Sequence, residues 1–344
     1  MWAMIVKEFR QVRRDHRTLA MMIVMPVVLL VVFGYAASFD TSSIPTVVGG
    51  PGAETVIDRL PDLFAVENVD PALNRPSATE MLRRGEAVVA LIVGTDGGLA
   101  LIDGSELFSA RAAVQALTAG APNVSVEVLF NPGLDTSVVL VPGLAGLILL
   151  FIGTVITSLG VVRERQSGTL EQLAVMPLRP RDVFVGKVAP YFLVACVDLV
   201  IVLVVGSLIF DVPFNGSLGT LALGAVLFLF VTLGVGVLIS GVSENQGQAV
   251  QLALMTLLPQ VLLSGIIFPL ESMAAGVRWL GYLLPLTWFN LIARGVMVRG
   301  APLGSVAVPL AILAGFGVVV FGLAVVRFRR DLASSHGEPI AVSA

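Results

Sequence analysis

A chain of 344 residues that is 56% hydrophobic, only 13% charged and has a mean hydropathy of +0.93 falls outside the range of soluble globular proteins. A net charge of −3 argues against a nucleic-acid surface, and two histidines leave little material for metal or triad chemistry. The single cysteine, Cys196, excludes a disulfide framework within the chain, and the length leaves room for several membrane spans and one modest soluble domain.

Residues 1–18 form a basic leader with helical periodicity. Trp2, Ile5, Val6, Phe9 and Val12 fall on one face, while Lys7, Arg10, Arg14 and Arg17 mostly take the other. A helix with a Trp/Phe face and a basic face lies along the lipid headgroups rather than crossing them. The alternative is an unstructured basic tail.

Six apolar stretches reach the ~20 helical residues needed to cross a bilayer core. They are residues 19–38, 138–162, 188–210, 218–242, 249–270 and 306–326. A cleaved signal peptide is disfavoured for the first, because its apolar core exceeds the ~7–15 residues of a signal sequence.

Between the first two spans, residues 39–137 have an ordinary soluble composition. Short strands are predicted at 45–48, 87–93, 99–102 and 124–130, with helices at 53–60, 78–84 and 106–119. Ser77 and Glu80 have capping-box spacing ahead of the second helix. This alternation predicts a small α/β or α+β domain, large enough to bury its own core.

Residues 163–187 make a dense polar loop with five basic residues (Arg163, Arg165, Arg179, Arg181 and Lys187) and three acidic ones. Thr169 and Gln172 have capping-box spacing, so a helix over 170–177 would place Leu170, Leu173 and Ala174 on one face. That face is either a docking surface for a cytoplasmic partner or a helix packed on the protein's own spans. A phosphate-binding loop is excluded, because Val188 follows Gly186-Lys187 and Arg181 stands where its first glycine belongs.

Asp198 is the one formal charge inside the spans. A carboxylate near mid-bilayer costs at least ~2.5 kcal/mol unless it is paired, solvated or protonated. It either lines a polar path or bonds a neighbouring helix, with Thr232, Gln251 and Gln260 as candidate partners. Thr232, Gly236 and Ser240 place small residues at four-residue spacing, a pattern that permits close helix packing.

Residues 271–300 are too polar and too broken by proline to span again. With Trp279, Tyr282 and Trp288 suited to the headgroup boundary, they predict short helices dipping into the outer leaflet, in a re-entrant arrangement. Residues 138–330 thus form a five-helix membrane region, followed by a tail at 331–344.

Thirteen of the 21 Lys and Arg residues fall in the leader, in the 163–187 loop and just after the last span. The positive-inside rule therefore places both termini and that loop in the cytoplasm of a multi-pass plasma-membrane protein. The opposite side carries 15 acidic residues against eight basic ones, charges that read as solvated rather than as a ligand site.

Several motifs occur in order along the chain: Met25-Pro26; Phe130-Asn131-Pro132; Val141-Pro142-Gly143; then Glu164-Arg165-Gln166-Ser167-Gly168-Thr169-Leu170-Glu171 with Leu173, Pro177 and Gly186-Lys187. They continue with Leu263-Ser264-Gly265, Phe268-Pro269, Glu271-Ser272-Met273, Leu284-Pro285-Leu286-Thr287 and Arg294-Gly295. With these the chain resembles the permease subunits of type-2 ATP-binding cassette exporters, in the subgroup with a large extracytoplasmic domain after the first span. The proline usual after Glu-Ser-Met is Ala274 here.

The resemblance implies a polytopic α-helical membrane protein of six transmembrane helices with a small α/β extracytoplasmic domain. It implies no cofactor in this chain, with ATP and Mg held by separate ATPase subunits, and a second permease half in a homo- or heterodimer. The leader, with Trp2, Phe9, Arg10 and Arg14, would be the connecting helix. Glu164, Arg165, Gly168, Thr169, Leu170, Glu171 and Leu173 would belong to the coupling helix, and Asp198, Gln251 and Gln260 would line a path or join helices. Drugs, lipids or other amphipathic compounds would be the cargo. Two other classes compete: a proton-coupled secondary transporter using Asp198, and a membrane sensor with the outer domain as receptor. The first would favour internal repeats, the second a cytoplasmic signalling domain, and neither is found.

Overall fold

The computed structural model describes residues 43–57, 60–94, 97–120, 123–167 and 180–334. The leader, the predicted first span, residues 168–179 of the polar loop and the last ten residues lie outside the described residues.

The α/β unit runs β1 (Ile44–Gly49), α1 (Ala53–Ile57), β2 (Phe64–Asp70), α2 (Arg75–Arg84), β3 (Val89–Val93), β4 (Gly98–Asp103), α3 (Leu107–Gly120) and β5 (Val124–Leu129). The five strands lie in the order β2-β1-β3-β4-β5. β1 is parallel to β2 and to β3, β4 is parallel to β5, and β3 with β4 is antiparallel. Connection length sets this pattern: a short turn joins β3 to β4, whereas the parallel pairs need a helical crossover. Alternate side chains feed two faces. Val89, Leu91, Ala100 and Ile102 pack under Ala53 of α1 and Ala110, Ala113 and Leu117 of α3. Val47, Ala90 and Leu101 pack under Ala78 and Leu82 of α2.

β2 has no counterpart in the predicted strands. It is an edge strand with Phe64 buried and Glu67, Asn68 and Val69 exposed, so its apolar alternation is weak. α2 begins three residues before the predicted start. Asn74 is its N-cap, with Oδ1 accepting from the Ser77 N–H at 3.0 Å while Ser77 Oγ accepts from the Asn74 N–H at 3.1 Å. Ser77 is therefore the third residue of the helix and not its cap. Glu80 pairs with Arg84 at 3.0 Å instead of closing a capping box.

The helical part follows. α4 (Thr136–Phe151), a π turn (Ile152–Ile156) and α5 (Thr157–Gln166) form one continuous rod. Then come α6 (Pro180–Ile209), α7 (Leu218–Val242), α8 (Gln246–Leu263), α9 (Ala275–Tyr282), α10 (Pro285–Arg294), a second π turn (Gly295–Arg299) and α11 (Ala307–Ser334). Among the described residues four stretches are long and apolar enough to cross a membrane: Thr136–Glu164, Ala189–Ile209, Leu218–Val242 and Ala307–Ala324. The stretch predicted at 249–270 stops as a helix at Leu263, before Gly265 turns the chain at a φ of 81°. α8 also carries Gln246, Gln248, Gln251 and Gln260, which lower its hydropathy.

The α4–α5 rod and α7 form the buried centre. Gly153 of the π turn and Gly236 of α7 meet where the two rods cross, with Thr232 against Gly153 and Thr157 against Gly236. Thr232 and Gly236 thus occupy a close crossing, as their spacing suggested. α6 and α11 lie outside and expose Leu193, Val197, Val200 and Leu208, and Val308, Val318, Val319 and Leu323.

α9 and α10 make a hairpin that enters the bundle. Leu286 and Phe289 pack on Gly146, roughly ten residues and so about 15 Å along α4 from its start. Ile292 packs on Gly224, nearer the start of α7. The segment after α10 reaches the α6–α7 link, where Asn215 donates from its N–H to Met297 O at 2.9 Å and from Nδ2 to Val298 O at 2.8 Å. Phe289 stacks on Phe228 with ring centres 4.8 Å apart, anchoring the hairpin in the centre.

Candidate functional site

Three groups of polar residues stand out. The first gathers the helix ends opposite the α/β unit. Gln246 Nε2 donates to Gln166 Oε1 at 3.0 Å, Arg327 Nη2 donates to Gly241 O at 3.0 Å, and the Glu244 N–H donates to Gln248 Oε1 at 2.9 Å. Asn245 caps α8 by accepting from the Gln248 N–H at 3.0 Å. The ends of α5, α7, α8 and α11 are thereby tied together. Glu164 is half-buried here and Arg163 is exposed. Arg165 lies in α5, and its side chain is outside the described residues; so are Gly168, Thr169, Leu170, Glu171 and Leu173.

The second group is the polar set inside the spans, which the structure does not bring together. Asp198 sits on α6, and among the described residues no hydrogen bond joins it to Thr232, Gln251 or Gln260. Thr232 Oγ1 donates to Leu229 O within its own helix at 3.2 Å. Gln260 is 4% exposed, and its Oε1 accepts from the Leu286 N–H at 3.3 Å while Nε2 donates to Thr256 O at 3.4 Å. α10 begins with Leu284 and Pro285, neither of which supplies a side-chain cap. Gln260 therefore caps α10 from α8, satisfying an N-terminal N–H that is otherwise orphaned.

The third group was missed by sequence reasoning, which took the charges on this side as solvated. Arg294 Nη2 lies 2.6 Å from Glu106 Oε1, and Arg299 Nη1 lies 3.4 Å from Asp103 Oδ2 and 3.9 Å from Glu106 Oε1. Asp103 is 0% exposed and the Arg299 side chain 10%. Each group sits where local structure favours its charge. Glu106 stands at the N-terminus of α3, Arg294 is in the last turn of α10, and Arg299 lies against Gly85, the left-handed C-cap of α2. Asp103 Oδ1 also accepts from the Ser105 N–H at 2.8 Å. Burial pushes the Asp103 carboxyl above its ordinary range, against the pull of Arg299. The cluster joins the α/β unit to the end of the inserted hairpin.

Among the described residues no group of three or more His, Cys, Asp or Glu is placed to hold a metal ion. A family profile described as ABC-2 family transporter protein matches residues 16–326. The chain belongs to the ABC-2 transporter family. The "Probable multidrug ABC transporter permease YbhS" of Escherichia coli is 28% identical to it, with 96% of this chain and 97% of that one covered. The "Probable multidrug ABC transporter permease YbhR" of the same organism is also 28% identical, over 89% of this chain and 92% of its own. The "Inner membrane transport permease YhhJ" is 33% identical over 61% of this chain and 57% of its own.

In this ABC-2 membrane component the quoted motifs occupy structural corners. Asn131 is buried between the α/β unit and α4, its Nδ2 donating to Gly104 O at 3.2 Å and Asp135 O at 3.1 Å. Phe130, at a φ of 66°, packs on both the α/β core and the bundle core. Arg294 belongs to the ion cluster.

Gln260→Met is expected to cost about 1–3 kcal/mol, the penalty of leaving one buried N–H unpaired. A fall in the thermal unfolding midpoint of the detergent-purified protein would register it. A path-lining role alone predicts lost export at an unchanged midpoint.

Proposed function

We propose that this chain is the membrane-spanning permease subunit of an ATP-driven exporter. The observation that carries the reading is the ABC-2 family match over residues 16–326, together with relatives named as multidrug permeases that cover nearly the whole chain. It has six spans, with residues 19–38 and α8 completing the four long apolar stretches. Both termini and loop 163–187 face the cytoplasm, and the α/β unit stands on the opposite side. ATP and Mg are bound by separate ATP-binding cassette subunits, and a second permease half, a copy or a homologue, completes the path. The cargo is a drug, a lipid or another amphipathic compound.

Glu164, Arg165, Gly168, Thr169, Leu170, Glu171 and Leu173 form the element that receives the ATPase stroke. The bond from Gln246 to Gln166 supports this assignment, since a push on the segment after α5 passes directly to α8. The test is Glu171→Arg with Leu173→Asp, which reverses one charge and places a carboxylate in the apolar contact while leaving the spans untouched. The double variant is expected to insert and fold yet lose ATPase capture, with export reduced at least tenfold. Normal capture and export would remove the loop from the coupling role.

A further inference from the structure

Beside the ion cluster a cleft of about 350 Å³ opens between the α/β unit and the adjoining ends of α10 and α11. Small-molecule sites span ~300–1,000 Å³ and favour such domain junctions. Glu67, Arg84, Glu86 and Glu106 line it from the α/β unit, and Leu291, Arg299 and Val306 from the bundle.

The charges are mixed in sign. Glu67, Arg84 and Glu86 are exposed, with Arg84 4.0 Å from Glu86. Arg299 engages its carboxylates through Nη1 and also lines the cleft. A lone anion would meet the glutamates, and a lone cation the arginines. A molecule with a phosphate and an ammonium a few bonds apart meets a partner for each, the phosphate matching the guanidinium fork.

The position narrows the ligand further. Val306 and Pro309 line the cleft at the start of the apolar stretch Ala307–Ala324, so the cleft lies where a spanning helix leaves the hydrocarbon. Leu303 and Val308 are exposed in the same stretch of chain and offer an acyl chain an apolar surface. We propose that the cleft binds a zwitterionic headgroup, with Arg299 and Arg84 taking its phosphate and Glu67 and Glu86 its ammonium. This site lies outside the transport reading, because binding requires neither ATP nor a partner subunit.

The test is isothermal titration calorimetry of the delipidated full chain in an uncharged detergent. The probes are dihexanoyl-phosphatidylethanolamine, dihexanoyl-phosphatidylglycerol and soluble phosphoethanolamine. The ethanolamine lipid is expected to bind at least tenfold more tightly than the glycerol lipid. Glu67→Gln with Glu86→Gln should erase that preference at an unchanged unfolding midpoint, both residues being exposed. Tighter binding of the lipid than of phosphoethanolamine assigns a membrane lipid to the site, and equal binding assigns a free zwitterion. No binding, equal affinity for the two lipids, or a preference that survives in the double variant overturns the proposal.

Discussion

Arg299→Ala is expected to destabilise the protein by about 3–5 kcal/mol, the cost of removing one partner from a buried ion pair. The substitution leaves Asp103, with no exposed surface, facing Glu106 without its closest cation. Adding Asp103→Asn should recover most of the loss, because the uncompensated charge goes with it. Acidity should modulate the pair in a defined direction. Burial raises the Asp103 carboxyl above its ordinary value of 3.8, Arg299 opposes the rise, Glu106 adds to it and the Ser105 hydrogen bonds oppose it. A native state that holds this proton more tightly than the unfolded chain loses stability as pH climbs from 3.8 through the native value. The unfolding midpoint of the wild type should therefore fall relative to Asp103→Asn across that window. An Arg299→Ala midpoint within about a degree of wild type would show that the cluster does not hold the α/β unit to the hairpin.

Gly236→Ala should be nearly as damaging, although it adds one methyl group. A Cβ there would overlap the backbone oxygen of Gly153 and press on the Thr157 side chain. Overpacking of a core costs ~1–3 kcal/mol when side chains can shift, and here the obstacle is backbone. A loss of about 3 kcal/mol or more is expected, with the α4–α5 rod forced away from α7 and export lost with it. Gly322→Ala is the control, since nothing lies within 4 Å of its added Cβ. Equal midpoints for the two variants would show that this crossing tolerates separation.

Membrane character and the positions of the long apolar helices were legible from residue order, because the transfer energy of a helix into hydrocarbon is nearly a sum over its own residues. β1, β3 and β4 were legible as short apolar runs, because a strand covered on both faces buries most of its residues, and β5 by the alternation of Val124, Val126 and Val128 with Ser125 and Glu127. β2 was not, since its apolar run ends at Val66 and the exposed Glu67 and Asn68 break the pattern. The polar residues divide differently. Gln260 was visible as a cost inside an apolar run, but its partner is the N–H of Leu286 on a hairpin that folds back into the bundle. Asp103 and Arg299, 196 residues apart, carry no mutual signal in the sequence. Each looks like one more surface charge until β4, the start of α3 and the end of α10 are brought together.

The sequence by itself determined the membrane class, the α/β character of the insert and the family motifs, all properties of local composition and spacing. Only the tertiary structure decided which charges are buried, which glutamine caps which helix and where a mixed-charge cleft opens. Those outcomes depend on long-range contacts, and burial there turns weak surface charges into strong and costly interactions.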